Sequence, residues 1–440
     1  MERQSGRRRC HYSTFRFHQP DLRPNPMRTP LSPLHARQHG VTLIELMVAL
    51  TLGLILTGAA IQVFVANKST YRLTNALSHV QENGRYAMQQ LAYDIRMAGY
   101  FGCGSRRQID SNLVAADLDF IPAALPSDPD GDAYAAAVDT KENYLARNAL
   151  RGFDGGTAWW VAAGPPLDLA GNALTVCDAA TRNTASCQIS DVVSVIRGAE
   201  LGVHLTADML AETDPLMVKT AEFAAMRPTI TPDDDAPGEE DLVLLTDCES
   251  ADLIRVRALD EVGDDTQIIP DAALEKKYLQ GPAGGESATS SASLYSLTGG
   301  SYFVADAAVD NDGDGVPEPT AALYRIGHAD EGTVPPAVLI AEGVEKMFIA
   351  YGLDTGGDES IEEYDTAAQI DARRLAGNEN WERVVAVRIS LLLKSKEDFV
   401  TNEPVAMTFV DGTIVNDGVN ADRRLRLVFS QTISIRNRVQ

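Results

Sequence analysis

The sequence lacks the short motifs that mark common catalytic sites. Its 440 residues contain no HExxH, GxSxG or GxxxxGK[ST] pattern and only seven histidines. Those motifs supply a metal-bound water, an activated serine and a phosphate-binding loop. Their absence argues against an enzyme, and we predict that the protein is not one.

Cysteine is scarce as well. Cys10 lies in a basic N-terminal stretch, which leaves four cysteines in the rest of the chain, with no CxxC pair to suggest zinc. An even number in an exported chain predicts two disulfides in an oxidising compartment. Four cysteines allow three pairings; we favour Cys177 with Cys187 and Cys103 with Cys248. Unpaired buried thiols are the alternative.

Positive charge is rare beyond the N-terminus. The first 40 residues hold eight arginines, no lysine and two acids, a net of +6, whereas the whole chain carries −24, so residues 41–440 carry −30. A body this acidic is repelled by phosphate groups and anionic lipids. We therefore expect no nucleic-acid partner.

One long apolar run is present, at residues 41–66. Its length suits a bilayer-spanning helix. It nevertheless contains a carboxylate near its start, Glu45, and a charge in hydrocarbon costs roughly 2.5 to 3.5 kcal/mol on insertion scales. The basic stretch ends at Gly40, before the apolar run, so cleavage there would leave the apolar helix on the mature protein.

The sequence "GVTLIELMVAL" resembles the prepilin motif of type IV pilins and type II secretion pseudopilins. The resemblance implies that a prepilin peptidase cuts between Gly40 and Val41 and methylates the new N-terminus, which makes Glu45 the fifth mature residue. Val41 stands where Phe or Met is usual. The leader, residues 1–40, is long for this class, and a translation start at Met27 would give an ordinary length; we predict that start.

The helical pattern continues beyond the membrane segment. In residues 67–98 apolar or small positions recur at steps of three and four, which predicts an amphipathic helix. These positions are Leu73, Leu77, Val80, Gly84, Ala87, Met88, Leu91, Ile95 and Ala98. The glycines of "AGYFGCG" then predict the end of the helix.

Residues 99–440 read as a periplasmic, β-rich globular domain. Short apolar runs predict strands at 157–163, 191–198, 241–247, 251–259, 301–306, 321–327, 344–354, 383–395, 404–410 and 425–438. Alternation in "VRISLLL" and "TISIRNR" suits an antiparallel sheet with one buried face. Segments 104–150 and 205–240 read as insertions or loops. The predicted fold class is α+β, a long N-terminal transmembrane and amphipathic helix packed on a large C-terminal domain with antiparallel β-sheet.

Several C-terminal blocks extend the resemblance. They are "QENGRYAMQQLAYDIRMAGYFGC", "LYRIG", "GVEKMFIAYGLD", "NWERVVAVRISLLLKS" and "DRRLRLVFSQTISIRNR", and they are similar to successive blocks of the PilW family of type IV minor pilins. The resemblance implies a minor pilin that initiates assembly of the pilus at or near its tip. Its implied partners are the other minor pilins, the major pilin and a large tip adhesin. Its implied location is the inner membrane, crossed once, and then the pilus fibre.

Glu45 supplies a mechanism for this assembly. Its carboxylate can pair with the positive N-terminal amine of a neighbouring pilin, so that two charges that are each costly in lipid offset one another. A minor pseudopilin of a type II secretion system uses the same anchor and is the nearest alternative.

A third interpretation rests on "VDNDGDGVPE". Asp310, Asp312, Asp314 and Glu318 alternate around glycines, as carboxylates do in an EF-hand loop, and this predicts a calcium site. The twelfth loop position would be Ala321, so the usual bidentate Glu is missing. A calcium-dependent adhesive module on a pilin anchor is therefore a further hypothesis, and a solvated Asp/Gly hairpin is the plainer one.

Overall fold

A computed structural model describes residues 42–100, 102, 110–114, 149–155, 166–177, 188–199, 202–226, 242–247, 250–270, 273–274, 276–280, 292–309, 318–327, 335–375, 381–418 and 421–436. By its internal contacts the chain divides into two compact units, Met1–Phe64 and Val65–Gln440. The leader and the predicted strand at 157–163 lie outside the described residues. Of the predicted loop segment 104–150, residues 104–109 and 115–148 also lie outside them, and Asp110–Val114 form a strand, so the loop prediction was wrong there.

Helix α1 runs over Leu43–Arg96. From Ala76 onward one face is buried, because small and apolar side chains recur there at helical spacing. The buried residues are Ala76, Val80, Gly84, Ala87, Met88, Leu91, Ala92, Asp94 and Ile95. Leu73 was predicted on this face, but its side chain is 43% exposed. Gly99, at φ 69°, ends the helix in the left-handed conformation that glycine adopts without strain.

The rest of the second unit is mainly β-structure. Its first nine strands are β1 (Asp110–Val114), β2 (Leu150–Phe153), β3 (Thr175–Val176), β4 (Val192–Gly198), β5 (Val203–His204), β6 (Leu216–Lys219), β7 (Leu242–Thr246), β8 (Ser250–Val262) and β9 (Asp265–Pro270). The other strands are β10 (Ser293–Val309), β11 (Glu318–Ile326), β12 (Val338–Glu342), β13 (Val344–Leu353), β14 (Glu363–Asp365), β15 (Val384–Lys394), β16 (Met407–Thr408), β17 (Ile414–Val415) and β18 (Arg426–Ser434). Among the described residues two short helices join them, α2 (Thr220–Met226) and α3 (Ala367–Leu375), with a 3-10 turn at Trp381–Arg383.

The larger sheet has the strand order β12-β11-β10-β7-β8-β9-β6, with the remaining early strands paired off this path. Strand β10 is common to its two halves. Its first part pairs with β5 and β7, and its second part with β4 and β11. Gly299 and Gly300, at φ 128° and 151°, lie between the two parts. A Cβ on Gly300 would lie 2.3 Å from the carbonyl oxygen of Ile326, so only glycine fits there.

The smaller sheet has the order β14-β13-β15-β18 and is antiparallel throughout. Its apolar face contacts the buried face of α1 within one core cluster. The closest approach is at Gly84, where an added Cβ would lie 2.5 Å from the ring of Phe429. The hairpin β16–β17 lies on a small core of its own with Leu392, Phe409 and Val415.

A separate apolar cluster is formed by the part of the chain that runs from β5 to the start of β10. Its members all fall within residues 203–294 and include Met209, Leu216, Val218 and Phe223. The prediction that 205–240 is loop was therefore wrong for its first part, which contains β6 and α2. The strands predicted at 191–198, 241–247, 251–259, 301–306, 321–327, 344–354, 383–395 and 425–438 are confirmed, and that at 404–410 shrinks to Met407–Thr408. The α+β fold class is confirmed.

Candidate functional site

The first part of α1 is an exposed apolar helix. By length and composition it can cross a membrane, and none of its most apolar 18-residue window is buried within the chain. Large apolar side chains from Leu43 to Val65 are exposed by half or more. Surface of this kind is covered in a working protein by lipid or by other chains. This part of α1 is therefore suited to anchoring the chain in a membrane.

Glu45 lies in the first turn of this helix. Its Oε2 accepts hydrogen bonds from the backbone N–H and the hydroxyl of Thr42, both at 2.9 Å, and the Glu45 N–H donates to Thr42 Oγ1 at 3.3 Å. This reciprocal arrangement is a capping box, which satisfies backbone donors that a helix start leaves free. The T-x-x-E spacing carried that signal, and our reading of the sequence missed it. Gly40 and Val41, the predicted cleavage residues, lie outside the described residues.

A second acid of the same helix, Asp94, is buried against three strands. Arg197 of β4 donates to its Oδ1 from Nε at 3.2 Å and Nη2 at 3.1 Å. The hydroxyl of Tyr302, on β10, donates to Oδ2 at 2.7 Å, and Arg325 Nε of β11 lies 3.3 Å from the same oxygen. Because three strands converge on one carboxylate, the contacts fix the rotation and height of residues 65–96 of α1 against these strands.

The surroundings of Asp94 reinforce this arrangement. Burial, and then the nearby Asp94 charge, raise the pKa of Tyr302, so its hydroxyl stays a donor. The Arg197 guanidinium lies 5.1 Å from the ring centre of Tyr93, on the same helix. Nothing in the sequence indicated that Asp94 would be buried, because an acid in an amphipathic helix ordinarily lies on its solvated face.

A second ion-pair network joins blocks that are far apart in sequence. Arg426 donates to Glu345 at 2.8 and 3.3 Å and to Asp422 at 2.6 and 3.0 Å. Lys394 Nζ lies 3.8 Å from Glu345. Burial lowers the pKa of Lys394 against the opposing effect of Glu345. Burial works against the charge of Arg426, yet its hydrogen bonds raise its pKa overall.

The residues of this network line a cleft of about 1220 Å³. Helix residues Ala76, His79, Val80 and Asn83 line one wall. Residues of the segment 394–426 line the other, including Lys396, Asn416 and Arg424. The two acids and two bases of this network neutralise one another, so they give the cleft no excess of one sign.

The predicted calcium residues are not brought together by described structure. Asp310, Asp312 and Asp314 lie outside the described residues, and Glu318 begins β11, so the calcium site stays a prediction. Among the described residues, the acids Asp354, Asp358 and Glu362 place carboxylate oxygens within 4.8 Å of one another. Both oxygens of Asp354 accept N–H groups of its own loop, which accounts for this cluster without a metal.

Cys177 is disulfide-bonded and buried in the core beside α1. Its backbone is held on both sides, by Val304 O and by the Ser190 N–H, each at 3.0 Å. Cys103, Cys187 and Cys248 lie outside the described residues. The pairings of Cys177 with Cys187 and of Cys103 with Cys248 therefore stay predictions.

Comparison with known proteins agrees with this geometry. A family model described as type IV pilus-assembly protein W, PilW, matches residues 301–437. The prokaryotic N-terminal methylation motif matches residues 35–61. No curated protein and no solved structure matches the chain.

The methylation motif on an exposed apolar helix, in a chain with a β-rich body, supports a type IV pilus-related pilin. The second match narrows the class, and together the two matches, over residues 301–437 and 35–61, support a PilW-type pilin with a prepilin-type N-terminal motif. Pilin-family domains are structural, which agrees with the absence of catalytic motifs from the sequence. Both ion-pair networks contain residues of the PilW match, Tyr302 and Arg325 in one, Glu345 and Arg426 in the other.

Proposed function

We propose that the protein is a minor pilin that initiates assembly of the type IV pilus and lies at or near the fibre tip. Before assembly, the apolar part of α1 holds it in the inner membrane, with the acidic body in the periplasm. Other minor pilins and the major pilin are its partners, and a tip adhesin is a further one. The PilW match favours this function over the pseudopilin of a secretion system.

The observation that carries the proposal is that the carboxylate of Glu45 lacks a positively charged partner among the described residues. Among the described residues its carboxylate contacts only Thr42, a neutral residue of the same turn. A carboxylate at this depth in lipid needs a positive partner to offset its desolvation. The N-terminal amine of a neighbouring pilin is such a group, and pairing with it would set the register between subunits.

Processing comes first in this scheme. A prepilin peptidase would cut between Gly40 and Val41 and methylate the new amine. The mass of the N-terminal peptide of the purified protein tests this step. We expect a methylated peptide that begins at Val41, and a peptide that retains the leader would contradict the scheme.

The role of Glu45 is tested by Glu45→Gln, because Gln retains the capping-box hydrogen bonds and loses only the charge. We expect co-purification of the other minor pilins from solubilised membranes to fall by at least about tenfold, the equivalent of about 1.4 kcal/mol. Glu82→Gln, at an exposed acid of the same helix, is the matched control and should leave co-purification unchanged. Normal co-assembly of the Glu45 variant would refute the docking role.

A further inference from the structure

Strand β18 forms one edge of the smaller sheet. It pairs with β15 in an unbroken register from Arg426 to Ser434. Its other side, which we name the open edge, pairs with no strand among the described residues. At nine residues it is longer than the described strands that end either sheet's path, β6, β12 and β14.

The hydrogen bonds at the end of β18 show which backbone groups lie on the open edge. Ile435 donates its N–H to Val385 of the neighbouring segment, whereas Arg436 donates its N–H the other way, to the Arg96 carbonyl of α1. Because N–H groups alternate in direction along a strand, the even-numbered residues point away from β15. Val428, Ser430, Thr432 and Ser434 therefore direct their backbone groups to the open edge, and their side chains are exposed.

Natural proteins protect such edges with proline, inward-pointing charges, bulges or very short strands. None of these devices is present between Leu427 and Ser434. The sequence LVFSQTIS has no charge, no proline and no glycine, and the pairing with β15 has no bulge. In a chain that is 23% charged, an uncharged open edge of this length is either an aggregation hazard or a pairing site.

The face of β18 toward the helix is also incomplete. Leu427 and Phe429 pack against the core beside α1 but remain partly exposed. A further strand laid along the open edge could cover them with alternate apolar side chains. The same strand would satisfy the four outward N–H groups, which is the usual basis of strand addition.

The positive charge near one end of β18 indicates which residues the added strand should contain. Arg96 and Arg436 lie together at the far end of β18, where the N–H of one meets the carbonyl of the other at 3.2 Å. Neither guanidinium forms an ion pair within the part of the chain that the structure describes. A second copy of a body with net charge −30 would be repelled as a whole. A different chain that brings a carboxylate to the two arginines is favoured instead.

We propose that the open edge of β18 receives an extended strand from another pilin of the same fibre, with apolar residues at alternate positions and an acid near Arg96 and Arg436. The identity of the partner as a pilin rests on the proposed function. Strand addition would give this contact a fixed direction and register, separate from the contact made by Glu45.

The test uses the full-length processed chain in detergent and, as probes, the purified pilins of the same organism added one at a time. Hydrogen exchange is followed at Val428, Ser430, Thr432 and Ser434. We expect fast exchange in the free chain, and slowing by at least about tenfold when one pilin binds. Thr432→Pro removes an outward N–H but none that β15 uses, and should abolish binding. Thr432→Ala keeps that N–H and is the matched control.

The outcomes separate the two proposals. Binding of a pilin without slower exchange at these four amides would overturn the strand addition and leave the proposed function standing. Binding of none of the pilins would contradict the proposed function itself. Protection that appears with rising concentration of the chain alone would overturn the choice of partner in favour of a second copy. If Thr432→Pro lowers the melting temperature of the free chain, Val428→Pro repeats the test at the other end of the strand.

Discussion

The two acids Glu45 and Asp94 belong to the same helix and have opposite surroundings. Asp94 is buried, and two arginines and a tyrosine from three strands satisfy it within the chain. Glu45 is exposed and, among the described residues, is bound only by Thr42, one turn away. In the sequence Glu45 stands out inside a long apolar run, whereas Asp94 looks like an ordinary acid on the solvated face of a helix.

The difference shows how one helix divides its contacts. A buried charge is tolerated only where partners and hydrogen bonds offset its desolvation. The stretch around Asp94 has those partners in its own fold, so we expect it to govern the stability of the body. The stretch around Glu45 has no such partners among the described residues, so we expect its effect to appear in assembly.

Asp94→Ala should have the largest effect on the free energy of unfolding. The change leaves Arg197 and the Tyr302 hydroxyl buried without their shared partner, and we expect a loss of about 3 to 5 kcal/mol in the free energy of unfolding. Chemical denaturation of the full chain in detergent, followed by circular dichroism, measures it. Asp94→Asn keeps an acceptor oxygen and should lose less. A loss under about 1 kcal/mol for the alanine variant would mean that the helix is held elsewhere.

Gly84→Ala should have the next largest effect on stability. Alanine favours a helix by about 1 kcal/mol, but here its Cβ would meet the Phe429 ring at 2.5 Å. We expect a net destabilisation of about 1 to 3 kcal/mol, typical of overpacking. The double variant Gly84→Ala with Phe429→Leu makes room for the methyl group and should recover part of the loss. A more stable single variant would show that the helix can move away from β18.

Asp191 is a second acid whose carboxyl is held within the fold, but its hydrogen-bond donors are backbone N–H groups, whereas those of Asp94 are side chains. Its carboxyl accepts the N–H groups of Gly155 and Ile349, while burial raises its pKa to about 7. The folded state therefore holds this proton at pH values where the unfolded state has lost it. Stability should fall as the pH rises from about 4 towards 7 and then level off.

Melting temperatures at pH 5 and pH 8 measure this dependence. Asp191→Asn cannot lose a proton, so it should remove that part of the difference. Asp154, which adds to the raised pKa, and Lys346, which opposes it, are the charged groups that act on Asp191. An unchanged pH dependence in the Asn variant would place the responsible proton on another group.

Glu45→Gln should have the smallest effect on stability. Gln preserves the capping box, so we expect a change within about 0.5 kcal/mol, as at surface positions in general. The melting temperature of the purified, unassembled chain is the measurement. A large loss of stability would indicate that the charge of Glu45, and not only its capping hydrogen bonds, supports the fold. Glu45 and Asp94 would then both contribute to the stability of the chain.

The helix and most strands of the body could be predicted from the sequence because their apolar residues recur at regular spacings. The alternation around Arg388 and Thr432 gave β15 and β18, and the three- and four-residue steps gave α1 to within two residues of Arg96. The prediction failed for residues 205–226, since β6 is only four residues long and α2 only seven. Elements this short are too brief to show a repeating pattern of apolar residues, so their burial depends on tertiary contacts alone.

The candidate sites were less visible in the sequence than the fold. Glu45 stood out because a charge in a long apolar run is rare, yet its capping role with Thr42 was overlooked. The networks at Asp94 and Glu345 could not be predicted, since each joins residues from distant parts of the chain. No local spacing encodes such a meeting, and only the sheet order brings those residues together.

The contacts of Asp94 also bear on the order in which the chain can fold. Arg197 and Tyr302 follow Asp94 by 103 and 208 residues, and β18 comes later still. Contacts of such separation form slowly and favour intermediates in a chain of this size. The helix cannot make these contacts until Arg197 and Tyr302 have been synthesised, so its buried face lacks these partners until then.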